Sequence, residues 1–525
     1  MHEYFLPIAA FIGLGMLIWD CVEVGRNDAA NLINAVFGAR ALKRNTAILI
    51  AGISVILGAT FAAPVMETAR KGIFNPALMT FQMAMTIYIS VYFVDTVLLY
   101  GFSAFGMPVS TTACLVFELV GAAWFLAGPE NVHWPKVGEV TLGIIVSIII
   151  AGVASFMVMR VFRGIVRDKA QDRETVMTHG PWIAGLILMG LAWFMIFKGL
   201  KNVALVGDLK LQVFDAFGVP FTLLLLWAGF TLLVHMVLVF TGERGCKYLF
   251  HVMAVMGMIC LAFAFGQNDL ANCASPGLSA LSLWQNVDGK SLTDIAGIQA
   301  KVPIAMWMLF VCGVLMAGGM FTNYSQRVTR AAVNTGSQFD QVDLYAPNWC
   351  KALARIFVRV RGSSHPPALA PEPGRDERGK KIHFDTVRAA VITGTSAAVI
   401  AFASGRGLPV STTYVSFAAI LGTGLSDRVF ATRGDAELKI GRAIWVIACW
   451  FIAPLIAIVA TGLIARLVYH LTLAGLVLGI AINLAVRFII KRRSDAHEDL
   501  YHLHHGVKEN VDGSPLEADA EMQDK

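Results

Sequence analysis

Apolar runs alternate with short polar breaks along almost the whole chain, with candidate spans near 5–22, 46–65, 81–104, 110–127, 139–160, 182–200, 219–240, 247–265, 302–321, 386–404, 411–426, 443–466 and 470–490. Runs of about 17 to 25 apolar residues are what a helix needs to cross the hydrocarbon core of a bilayer. The pattern therefore predicts an all-α polytopic membrane protein. The segments at 110–127 and 411–426 are short and follow proline-containing polar breaks, which suits re-entrant hairpins and leaves about twelve transmembrane helices. Ahead of the first run stand His2 and Glu3, with no basic leader and no small-residue cleavage site, so a retained helix is expected there.

The polar breaks are not random, because two motifs each occur twice. Gly25–Asn31 reads Gly-Arg-Asn-Asp-Ala-Ala-Asn and Gly266–Asn272 reads Gly-Gln-Asn-Asp-Leu-Ala-Asn. Gly106–Thr112 reads Gly-Met-Pro-Val-Ser-Thr-Thr and Gly407–Thr413 reads Gly-Leu-Pro-Val-Ser-Thr-Thr, each followed nine residues after its last Thr by a glycine, Gly121 or Gly422. The shared order implies a duplicated unit with broken helices: a first inverted repeat at 1–165, intervening helices and loops at 166–246, and a second inverted repeat at 247–490. Asn27 and Ser110 are 83 residues apart, whereas Asn268 and Ser411 are 143 apart. The excess falls in a hydrophilic interval at about 323–385, whose Pro-rich charged middle, His365 to Asp376, reads as a flexible cytoplasmic insert. Residues 491–525 form a charged tail expected to be disordered.

Composition adds little beyond this. Hydrophobic residues make up 56% of the 525, and the formal net charge of +6 is accounted for by loop clusters: Arg160, Arg163, Arg167 and Lys169, the basic residues of the insert, and Lys491 to Arg493. These clusters belong on the cytoplasmic side by the positive-inside rule and give no reason to invoke nucleic acid. The eight cysteines are scattered with no C-x-x-C pair, so neither a disulfide framework nor a zinc site is indicated. The tail histidines His502, His504 and His505 read as part of a solvated segment.

Polar backbone at membrane depth is tolerated where it lines a cavity or is buried in protein, and duplicated breaks of this kind mark transport sites. Pro108 and Pro409 interrupt a helix, leaving Ser-Thr-Thr as the cap and first turn of the next one. Such an N-terminus offers free N–H groups, hydroxyls and the positive end of the helix dipole to an oxyanion. The Gly-x-Asn-Asp motifs supply the opposite chemistry on a helix expected to restart after Gly25: carboxylates at Asp28 and Asp269, and amides at Asn27, Asn31, Asn268 and Asn272. A carboxylate beside an anion needs a cation or a proton to cancel it, which makes anion binding depend on cation binding.

These residues resemble the signatures of the inorganic phosphate transporter (PiT) family, G-A-N-D-V-A-N and G-L-P-V-S-T-T-H, one of each per inverted repeat. Glu67 to Gly72 (Glu-Thr-Ala-Arg-Lys-Gly) is similar to the family's E-T-I-R-K-G, Gln326 to Gly336 falls more loosely at the corresponding place in the second half, and Trp445 to Pro454 resembles a late family helix. The resemblance implies import of inorganic phosphate by symport with Na+ or H+, through alternating access around a midplane site, with no other cofactor and no enzymatic step. It implies phosphate donors at Ser110, Thr111, Thr112, Ser411, Thr412 and Thr413. Cation binding and coupling would fall to Asn27, Asp28, Asn268 and Asp269, with Na+ held at Asp28 and Asp269, and Arg26, Asn31, Gln267, Asn272 and Glu118 would be accessory. A multi-pass homodimer in the plasma membrane, the inner membrane in a bacterium, is the implied setting, with phosphate and the lipid bilayer as partners.

The chain departs from the family pattern at Arg26 and Gln267, where the family has Ala, at Ala113 and Tyr414, where it has His, and at Glu118, where Gly is usual. It also lacks the first-half S-W-x-x-S-P helix, having Val146 to Met157 instead. A sulfate permease of the same fold is the nearest rival. A membrane-embedded enzyme would need a nucleophile beside a base or a metal cluster, and no such pattern is present. A nutrient sensor is the remaining alternative.

Overall fold

The computed structural model describes residues 4–505 except 63–71, 167–168, 171, 194, 197–207, 209–211, 213–215, 288–290, 297–304, 340–341, 343, 361–373, 375–380, 405 and 431–434. The Glu67 to Gly72 motif and the Pro-rich middle of the insert thus fall almost wholly outside the described residues, as does the tail beyond His505. Fourteen α-helices are described. The first half carries α1 (Phe5–Gly38), α2 (Arg44–Thr60), α3 (Phe81–Ala104), α4 (Thr111–Ala127), α5 (Trp134–Val166) and α6 (Arg173–Ala192). Then follow α7 (Val219–Gln285), α8 (Met306–Gly319), α9 (Tyr324–Thr335), α10 (Asn348–Val360), α11 (Thr386–Ser404), α12 (Thr412–Ser426), α13 (Ala436–Leu471) and α14 (Leu473–His505).

Eight of these helices are long and apolar enough to cross a membrane, or nine if α8 and α9, bent by 71° to each other, form one broken span. The chain is a multi-pass membrane protein. Helix α7 is two helices joined at Gly242, whose φ of 61° and ψ of −134° interrupt it. Within the hydrophilic interval 323–385, α9 is packed into the bundle through Val328, Ala332 and Val333.

Helix α1 and the second part of α7 lie side by side at the centre. The expectation that a helix restarts after Gly25 is not met: α1 runs unbroken through Gly25–Asn31, and α7 through Gly266–Asn272. These glycines serve packing instead. A Cβ on Gly25 would stand 1.9 Å from the carbonyl oxygen of Met316 in α8, and one on Gly266 would stand 2.2 Å from that of Val55 in α2. The later glycines act alike, since a Cβ on Gly121 of α4 would lie 2.2 Å from Ile458 O of α13 and one on Gly422 of α12 would lie 2.2 Å from Gly152 O of α5. In all four contacts a motif helix of one half packs on a helix of the other half.

These contacts are backbone against backbone, so no side-chain rotation can relieve an added methyl. Gly266→Ala is expected to destabilise the detergent-purified protein by about 1–3 kcal/mol or more, read as a lowered melting temperature. Gly143→Ala in α5, where a Cβ meets nothing within 4 Å, should leave it unchanged or slightly raised. Equal melting of the two variants would refute the packing role.

The basic clusters gather at one end of the bundle. Arg163 of α5 pairs with Asp385 ahead of α11 and with Asp427 after α12, the latter at 2.8 Å. Arg327 of α9 meets Asp495 of α14 at 3.0 Å, and Arg330 pairs with Glu498. Elsewhere, short connections tie helix ends together, as where Phe81 N donates to Asp294 O at 3.1 Å and where isolated bridges join Phe74 to Val132 and Thr80 to Ile295.

Candidate functional site

Proline at 108 and 409 stops the incoming chain, and the glycines at 106 and 407 turn it with φ of 65° and 70°, so that each Pro-Val-Ser segment runs extended into a new helix. The expected cap forms in both: Ser110 accepts from Ala113 N at 3.0 Å and Ser411 from Tyr414 N at 3.1 Å. Helices α4 and α12 therefore begin deep in the bundle, with Thr111-Thr112 and Thr412-Thr413 in their first turns. By helix geometry the first N–H groups at each start have no partner inside the helix.

The two Asn-Asp faces meet these starts in a matched set of contacts. Asn27 donates from Nδ2 to Val109 O at 2.7 Å, and Asn268 donates to Val410 O at 2.7 Å. Ser103 Oγ donates to Asn27 Oδ1 at 3.4 Å, and Ser404 Oγ to Asn268 Oδ1 at 3.3 Å. These contacts stay within a half, whereas the carboxylates reach across. Asp28 Oδ1 accepts from Thr413 Oγ1 at 2.5 Å and from Asn31 at 2.8 Å. Asp269 Oδ1 accepts from Thr111 at 3.0 Å, Thr112 at 3.4 Å and Asn272 at 2.7 Å. The threonines also touch the opposite loop, Thr112 Oγ1 lying 3.0 Å from Val410 O and Thr413 Oγ1 3.1 Å from Val109 O.

Ten predicted residues, Asn27, Asp28, Ser110, Thr111, Thr112, Asn268, Asp269, Ser411, Thr412 and Thr413, are thus brought to one buried place with Asn31 and Asn272. Both carboxylates are fully buried. Each has one oxygen held by several donors and a second, Oδ2, that accepts no hydrogen bond from the described residues; Asn272 Oδ1 and Thr412 Oγ1 are likewise without one there. A buried, unsatisfied carboxylate oxygen is costly. This set of hard oxygen atoms suits a small hard cation such as Na+.

Arg26 and Gln267 adjoin Asn27 and Asn268 in sequence but turn away from this place. The Arg26 guanidinium pairs with buried Glu23 at 2.8 Å and donates to Thr322 Oγ1 at 3.1 Å. Gln267 donates to Phe61 O at 3.3 Å. Thr322 lies just beyond α8 and Phe61 just beyond α2, so both residues strengthen the same cross-half packing that Gly25 and Gly266 allow. Glu23 also binds Arg487 from α14, whose guanidinium stacks over Trp19 and Tyr100.

Glu118 belongs to a second polar cluster. It, Asp95 and Asp20 are fully buried neighbours, and among the described residues no N–H or O–H donates to any of their six carboxyl oxygens. Asp20 was not among the residues expected to matter. Its signal was an acid within the first apolar run, where an ionisable residue is a functional candidate by default. Tyr414, one of the departures from the family pattern, stacks on Trp450 with ring centroids 4.1 Å apart.

A model of the phosphate transporter family matches residues 24–337, which take in three of the four motif copies. The chain is 26% identical over 467 residues to a relative named "Putative phosphate permease" from Pyrococcus furiosus, covering 88% of this chain and 95% of that one. A relative of the same name from Thermococcus kodakarensis is 28% identical over 466 residues, covering 87% and 96%. Among solved structures, "The sodium-dependent phosphate transporter" matches with a TM-score of 0.63 at 19% identity, over 88% of this chain and 98% of that one, a likeness of fold.

Proposed function

From the premise that this chain belongs to the phosphate transporter family, we propose that it imports inorganic phosphate by symport with a cation, through alternating access around the buried crossing of its motifs. The observation that carries this reading is the pair of half-satisfied carboxylates. Asp28 and Asp269 each hold one oxygen for a threonine of the other half and leave Oδ2 bare. Na+ at those oxygens would supply the positive charge that lets an anion approach the starts of α4 and α12. Taking up phosphate would then exchange the hydroxyl bonds of Thr112 and Thr413 for bonds to the anion, so cation and phosphate would bind together, which is the thermodynamic requirement of symport.

A carboxylate that remains free to accept also favours HPO4 dianion over sulfate, which has no proton to donate and would leave the acceptor unpaired. Proton coupling is the second reading, and its supporting observation is separate. Asp20, Asp95 and Glu118 bury three carboxyl groups to which no N–H or O–H donates among the described residues, and a proton is the smallest cation that can cancel such a charge.

Uptake of radiolabelled phosphate into proteoliposomes, with sodium and pH gradients imposed separately, tests both. The expected result is accumulation driven by one of the two gradients and unaffected by excess sulfate. Uptake insensitive to both gradients refutes symport, and equal competition by sulfate refutes the selectivity.

A further inference from the structure

Helix α10 presents three distinct faces. Cys350 and Ala354, adjacent around the helix, are buried, and the start of the helix lies against Gly441 of α13, where a Cβ would be 3.4 Å from Lys351 N. Trp349, Leu353, Ile356 and Phe357 form a second, apolar arc that is 49%, 41%, 57% and 62% exposed. Lys351 and Arg355 occupy the third arc, and Asn348–Val360 contains no acidic residue.

Thirteen residues make a helix about 20 Å long, too short to cross a hydrocarbon core of about 30 Å. Its neighbours fix its depth. Arg355 pairs with Glu437 in the first turn of α13 at 2.9 Å, and Trp349 sits edge-on to Trp445 with centroids 6.0 Å apart. The lipid-facing side chains of α13 begin just beyond, at Ile447 and Phe451. Helix α10 therefore lies at the level where α13 enters the membrane, at the same end as the basic clusters. An aromatic residue at that boundary with apolar side chains on one arc and cations on another is the composition of an in-plane interfacial helix.

We propose that α10 is a binding surface for anionic phospholipid, with Trp349, Leu353, Ile356 and Phe357 inserted at the headgroup–acyl boundary and Lys351 and Arg355 on the lipid phosphates. Lipid is favoured over a second protein because the exposed arc is continuous, through the Trp349–Trp445 contact, with the bilayer-facing side of α13, and because the adjoining charge is basic.

The test uses the full-length protein carrying a spin label at Ile356→Cys; the native cysteines are buried or half-buried and compete little for the label. In nanodiscs the label should collide more with oxygen than with a water-soluble nickel complex. Replacing part of the zwitterionic lipid with phosphatidylglycerol should slow hydrogen exchange of the amides of 349–357 at least about threefold, and Lys351→Glu with Arg355→Glu should abolish that slowing. A nickel-accessible label, or exchange indifferent to lipid charge, overturns the proposal. Spin–spin coupling between copies overturns it in favour of a second copy on this face.

Discussion

Asp28→Asn and Asp269→Asn, each made singly, are expected to cut cation-driven phosphate uptake to near background while leaving the folded protein intact. Asparagine keeps an oxygen able to accept from Thr413 or Thr112, so the helix packing survives and the crossed contacts persist as weaker, uncharged hydrogen bonds. What changes is the bare Oδ2 atom, which becomes an NH2 group that cannot ligate a cation. Losing one charged partner of a buried ionic contact costs about 3–5 kcal/mol, or between about a hundred- and several-thousandfold in affinity. Melting temperature and phosphate uptake, measured on the same preparations, separate the site from the scaffold. Wild-type uptake in either variant would remove that carboxylate from the coupling role.

The second expected result concerns which threonine speaks to which carboxylate. Thr413→Val should weaken cation-dependent phosphate binding by about ten- to a hundredfold, the worth of a hydrogen bond to a charged group, and Thr112→Val should do the same. The diagnostic feature is their coupling. Thr413 bonds Asp28 at 2.5 Å, whereas Asp269 accepts from Thr111 at 3.0 Å and more weakly from Thr112 at 3.4 Å, so Thr413→Val should cost much less in the Asp28→Asn background than alone, and Thr112→Val somewhat less in the Asp269→Asn background. Pairs drawn from one half, such as Thr112 with Asp28, should combine closer to additively. Isothermal calorimetry with phosphate at fixed cation concentration reads all four cycles. Coupling within halves and additivity between them would refute the crossed arrangement.

Much of this place was legible in the residues. Repetition of Asn-Asp and of Pro-Val-Ser-Thr-Thr located it, and proline followed by serine fixed where α4 and α12 start, because a missing N–H and a side-chain acceptor leave few alternatives for the local backbone. The glycines were legible as repeated but not as to purpose. Gly25 looked like a helix break and is a point of contact with Met316 O, since a glycine is equally compatible with a turn and with a close approach until its neighbour is known. Arg26 was expected only as an accessory residue beside Asn27; the presence of Glu23 three residues earlier, one turn back on the same helix, was the signal that it had a nearer partner.

The sequence by itself determined that the chain is helical and crosses the membrane many times, because runs of apolar side chains leave no other way to satisfy the backbone in lipid. It also determined which polar residues come in matched pairs, since a duplication preserves the order of the motifs and the spacing within each, whatever is inserted between them. It did not determine which copy faces which. Only the tertiary structure decided that Asp28 meets Thr413 rather than Thr112, that Gly25 and Gly121 pack on α8 and α13, and that Gly266 and Gly422 pack on α2 and α5. Two equivalent motif sets offer the same hydrogen bonds within a half as between halves. The choice between them is made by how the long helices interlock, a property of contacts hundreds of residues apart in the chain.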